Sequence, residues 1–105
     1  MTQSFAAAVE ECLQALLEQI EAQAPDVEAD LIDSVLSLRL PDDSEIILNR
    51  QEAVAQIWLA CSDGPARFDH EASGAWVDAR SGRTLPAYLG NILQQRLGQT
   101  VELEV

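Results

Sequence analysis

The segment Ile46–Ala60 reads IILNRQEAVAQIWLA. IIL and QIWLA have the apolar, β-branched or aromatic character of strands, and NRQEAVA between them carries four polar groups in a row. Strand side chains alternate between two faces. If Ile57, Leu59 and Cys61 turn toward a core, then Gln56, Trp58 and Ala60 fall on the other side. A tryptophan there is either a contact residue for another molecule or partial cover laid over neighbouring strands. The rest of the chain bears on that choice.

Outward from this segment the same period-two pattern recurs. Upstream, DVEADLI alternates Val27, Ala29 and Leu31 with Asp26, Glu28 and Asp30, and VLSLRL sets Leu36, Leu38 and Leu40 inward. Only Asp33–Ser34 separates those two runs, which predicts a hairpin without the usual glycine. PDDS makes the next turn, and ARFDH and AWVDA follow as further short strands. Phe68 goes inward, leaving Arg67 and Asp69 outside; Trp76 reads equally as inward cover or a second exposed aromatic. Helical spacing appears at both ends. Phe5, Val9, Cys12, Leu13, Leu16, Leu17 and Ile20 share one face, with Ser4 as N-cap and a stop at Pro25. A second helix is predicted from about Thr84 to Leu97, with Pro86 in its first turn and Gly98 just past its end. The expected fold is α+β: a two-layer sandwich with two terminal helices on one face of an antiparallel sheet of about six strands. One domain spans 1–105, and the other sheet face lies open to solvent.

Charge narrows the function classes. The chain carries 18 acidic and six basic residues, for a net charge of −12, and has no lysine. The first 38 residues hold eight carboxylates, and no Lys, Arg or His precedes Arg39. Nucleic-acid binding is disfavoured, because neutralising phosphates needs cations on the protein. No apolar run has membrane-spanning length and no basic-then-apolar leader opens the chain, so a soluble protein of the cytoplasm is expected. Cys12 and Cys61 lack metal-ligand spacing and are expected as buried free thiols. Glu10, Glu11, Glu18 and Glu21 fall within an arc of roughly 100° opposite the apolar side of the first helix. Four like charges with no basic residue three or four positions away cost helix stability. Asp26, Glu28 and Asp30 line one side of the first strand at about 6 to 7 Å spacing. The stripe suits a metal cation, a basic protein surface, or solvent alone.

NRQEAVAQIWLA, then GPARFD, then Trp76 and Ser81–Gly82 before the last helix, resembles the frataxin family in its bacterial iron-donor branch. The resemblance covers nearly the whole chain. Three departures stand out: Ala53 after the Glu where proline is common, DS in place of a glycine-containing turn, and EAQA at the end of the first helix where relatives often carry adjacent aspartates. The resemblance implies an iron-binding protein of iron–sulfur cluster assembly, partnered with a cysteine desulfurase and a scaffold protein and monomeric without iron. Carried over by position, the implied metal ligands are Glu11, Glu18, Glu21, Asp26, Glu28 and Asp30. The implied partner surface is Asn49, Arg50, Gln51, Gln56, Trp58 and Arg67. Carboxylates are hard oxygen ligands that take iron and equally Mg²⁺, Ca²⁺ or Mn²⁺, so weak and exchangeable binding is expected, with other divalent cations competing.

No catalytic residue is expected. His70, the one histidine, reads as a solvent-facing turn residue with no Ser or Cys beside it to activate, and no Glu-x-x-His pair suggests a di-iron centre. Two alternatives stand beside the iron-donor reading. A ferroxidase would turn over Fe²⁺ with O₂, and an acidic charge-mimic inhibitor would dock on a basic protein with no need of Trp58.

Overall fold

The computed structural model describes residues 4–105. Its elements follow the order α1 (Phe5–Gln23), β1 (Glu28–Ile32), β2 (Val35–Arg39), β3 (Glu45–Gln51), a 3-10 turn (Glu52–Val54), β4 (Gln56–Ala60), β5 (Ala66–His70), β6 (Trp76–Asp78) and α2 (Leu85–Leu97). The six strands form one antiparallel sheet whose spatial order is the chain order.

Each helix starts where its cap stands. Ser4 Oγ accepts from the Ala7 amide and Thr84 Oγ1 from that of Ala87, each satisfying one otherwise unpaired first-turn donor. Thr84 is thus the cap, not the first residue, of α2. Gly98, at φ +71, ends that helix in the left-handed conformation that glycine takes without strain. The apolar face of α1 buries Val9, Cys12, Leu13, Leu16 and Ile20 against the inner sheet face, where Leu36, Leu48, Ile57, Leu59 and Phe68 are fully covered. Phe68 meets Tyr88 of α2 edge-on, at 5.5 Å between ring centroids.

The β1–β2 turn lacks glycine yet takes positive φ at both Asp33 (51°) and Ser34 (63°). Ser34 is held there from two sides. Its hydroxyl donates to Glu10 of α1, and its carbonyl accepts from the Arg50 amide of β3. Arg96 ties two other turns to α2, donating to Asp63 at 2.9 Å and to Ser62, and lying 3.7 Å from Asp42.

Residues 99–105 form no helix or strand but lie against α1. The Gln19 amide brackets Glu104 and the Gln23 amide brackets Glu102: each side chain donates to the backbone carbonyl and accepts from the backbone N–H, at 2.6–2.8 Å. Four residues of helix rise about 6.0 Å and two extended residues span about 6.6 Å, so the two ladders match in step. Val101 is buried, and its carbonyl passes so close to α2 that a Cβ at Gly90 would lie 3.1 Å from it.

Two local expectations change and one open reading is settled. Cys61 lies beyond the end of β4 and is half-buried, its thiol donating to the Gly64 carbonyl at 3.7 Å; only Cys12 is buried. His70 closes β5 instead of opening the turn, because it pairs with Trp76 across the ladder and their rings stack at 4.2 Å. Trp76 points inward, 2% exposed, with Phe5 edge-on to it at 5.9 Å.

Candidate partner interface and acidic ridge

The sheet register builds the outer face. Asn49 of β3 lies opposite Trp58 of β4, and Trp58 lies opposite Arg67 of β5. Three residues far apart in sequence therefore form one row across three strands, at about 5 Å per step. The next row holds Gln51, Gln56 and Asp69. Between the rows runs a chain of hydrogen bonds: the Trp58 indole N–H donates to Gln56 Oε1 at 2.8 Å, and the Gln56 amide donates to Asp69 Oδ1 at 2.9 Å. Gln51 donates to Asn49 Oδ1 at 2.7 Å. The Arg67 guanidinium lies over the indole, 4.7 Å from its centroid, within range for a cation–π contact. The indole is thus fixed in orientation and only partly covered.

Arg50 does not join this patch. Its register partner is Ile57, whose side chain is buried, so alternation sends Arg50 to the helix side, where its Nε lies 3.6 Å from Glu52. The contiguous letters NRQ occupy two faces. Asp69 belongs to the site instead, as the acceptor that ends the hydrogen-bond chain.

The acidic candidates are exposed on two neighbouring elements, α1 and the edge strand β1, and on the connection between them. Glu11, Glu18 and Glu21 are exposed on α1, Asp26 is exposed in the connection after it, and Glu28 and Asp30 are exposed on edge strand β1. Glu18 accepts from the Gln14 amide at 3.0 Å. Glu28 sits across from Arg39, which itself lies 3.9 Å from Glu45. Among the described residues, no group of three or more His, Cys, Asp or Glu side chains is gathered closely enough to hold a metal ion. The arrangement is an extended negative strip, suited to steering and to loosely held cations.

The Frataxin-like domain family model matches residues 1–99. The chain belongs to the frataxin family. The iron–sulfur cluster assembly protein CyaY of Thioalkalivibrio sulfidiphilus is 41% identical over 103 residues, covering 95% of this frataxin-family chain and 96% of that one. The protein of the same name from Azotobacter vinelandii is 39% identical over 80 residues, 73% of each chain. Among solved structures, the frataxin from Psychromonas ingrahamii superposes with a TM-score of 0.89 at 29% identity, covering 96% of this chain and 95% of that one. Trimeric yeast frataxin complexed with ferrous iron gives 0.71 at 28% identity, covering 94% and 89%. The two-helix, six-strand architecture read from the sequence is the frataxin fold. Among the described residues, no helix is long and apolar enough to cross a membrane.

Proposed function

We propose that this frataxin-family protein serves iron–sulfur cluster assembly in the cytoplasm. It docks on a cysteine desulfurase–scaffold assembly and carries iron as exchangeable cargo on its acidic strip. The names of its relatives support the pathway. The docking part rests on the Asn49–Trp58–Arg67 row, an aromatic anchor flanked by an amide and a guanidinium on an open sheet face. In this reading the acidic strip speeds encounter with a basic partner surface, and the Trp58 row supplies the short-range contacts.

The test is affinity for the purified desulfurase–scaffold assembly. Truncating an interface hot spot costs about 2 kcal/mol or more, so Trp58→Ala should bind roughly 30-fold more weakly at unchanged net charge. Equal binding by the folded variant would favour an acidic inhibitor acting by charge alone. For the cargo, Fe²⁺ titration should broaden NMR signals of α1 and β1 around Glu18, Glu21, Glu28 and Asp30, with affinity no tighter than about micromolar for an exposed all-oxygen site. Broadening centred on His70 or Cys61 would refute this assignment.

A further inference from the structure

Beside the Trp58 row, β4, β5, the end of β6 and the residues after it line an open cavity of about 390 Å³. Its wall includes Gln56, Pro65, Arg67, Asp69, Asp78 and Arg80. Both carboxylates in that wall already have donors. Asp69 takes the Gln56 amide, and Asp78 takes the Arg80 backbone N–H at 3.2 Å and the Ser81 hydroxyl at 2.9 Å. The two guanidiniums are different. Arg39, Arg50 and Arg96 each make an ion pair, whereas among the described residues Arg67 and Arg80 make none. Stacking over an indole leaves a guanidinium's N–H edge free to donate. Both guanidiniums of this wall therefore keep donors to spare, in a molecule of net charge −12.

The loop that carries Arg80 is also braced. Asp78, 6% exposed, receives the Gly82 N–H at its carbonyl and donates its own N–H to the Arg83 carbonyl. Bracing of this kind lowers the entropic cost of presenting the Arg80 side chain.

We propose that this cavity receives a carboxylate side chain of the protein that docks on Trp58, held between Arg67 and Arg80 with its stem against Pro65. A planar carboxylate matches the donor fork of a guanidinium. A nucleic acid, charged at every phosphate, is repelled by a net charge of −12 far more than one carboxylate on an otherwise basic partner surface. The inference rests on the docking reading above and adds to it a polarity: the partner presents an apolar group to Trp58 and an acidic one toward β6.

The experiment measures affinity of the full chain for the desulfurase–scaffold assembly, comparing wild type with Arg80→Gln, Arg80→Lys and Trp58→Ala. Arg80 is exposed and its side chain braces nothing, so Arg80→Gln should melt within about 2 °C of wild type, as surface substitutions do. Losing one charge-assisted contact should weaken binding about tenfold, with Arg80→Lys recovering part of the loss. As a second readout, glutarate should shift the NMR signals of the Arg67 and Arg80 side-chain Nε–H groups in wild type, and should leave Arg67 less perturbed in Arg80→Gln. If Trp58→Ala weakens binding and Arg80→Gln does not, the carboxylate site is overturned while the docking surface stands. If Arg80→Gln alone weakens binding, the site stands and Trp58 is not the anchor. If neither does, both readings fall.

Discussion

The two tryptophans differ in how far the core depends on them. Trp76 is 2% exposed and packed between Phe5 and His70, so Trp76→Ala leaves a cavity costing about 3–5 kcal/mol, enough to unfold much of a marginal domain. Trp58 is half-buried on the open face, and Trp58→Ala should cost about 1 kcal/mol or less, a small drop in melting temperature. Thermal melts of the two variants check the contrast; comparable losses would mean that Trp58 is core cover. The cysteines differ likewise. Burial first, and the neighbouring Glu11 second, push the Cys12 thiol up to about 12. At pH 8 a thiol reagent should label Cys61 and spare Cys12 until the protein unfolds. Because folding raises this pKa, the contribution of the neutral thiol is complete below the ordinary thiol range and is lost as pH climbs toward 12. Cys12→Ala should therefore flatten the alkaline fall in stability, and an unchanged slope would show that Cys12 is not its source.

Among the elements, the segment 99–105 and α1 hold one another through side-chain amides that imitate a strand. Gln19→Ala with Gln23→Ala removes four hydrogen bonds, each worth about 0.5–1.5 kcal/mol when sheltered and less at the surface. The better helix propensity of alanine returns a few tenths. A net loss of about 1–3 kcal/mol is expected, and the amides of Glu102 and Glu104 should exchange hydrogen faster. Unchanged exchange would mean that Val101 alone anchors the segment. The long elements were legible in the sequence because 19 helical residues or a five-residue alternating strand repeat their period often enough to fix a face. β6 is three residues, Trp–Val–Asp, with a buried aspartate where an apolar residue would be expected, so its pattern could not orient Trp76. Arg50 came with the same positional carry-over as Asn49 and Gln51, and strand alternation sets it on the opposite face from them. Alternation set Trp58 and Arg67 on the outer face and the family resemblance added Asn49, but joining them in one row needed register across two hairpins. Arg80 carried no signal of its own; only the cavity and its unused cations single it out.

For the molecule as a whole, charge is unevenly divided. Residues 1–38 carry eight carboxylates and no cation, while residues 62–98 hold four carboxylates and four arginines. Glu18 and Glu21 face solvent three residues apart on α1, and like charges so spaced destabilise a helix by about 0.2–0.5 kcal/mol. Glu18→Gln with Glu21→Gln should raise the melting temperature by about 2 °C, and millimolar Ca²⁺ or moderate salt should raise that of wild type by binding and screening. A lower melting temperature in the double variant would make these carboxylates structural, removing the main support for the cargo strip proposed above.

The sheet whose spatial order is its chain order also bears on how the molecule reaches its native state. Every strand finds its partner next door in the sequence, across turns that close at little entropic expense. The closure joining Gln19 to Glu104 spans 85 residues and belongs to the slow part of assembly. A nascent meander that forms ahead of its helices presents Leu36, Leu48, Leu59 and Phe68 to every neighbouring chain. Excess negative charge acts at that stage as well. Copies that each carry a net charge of −12 repel one another, which opposes association for as long as the apolar side is uncovered.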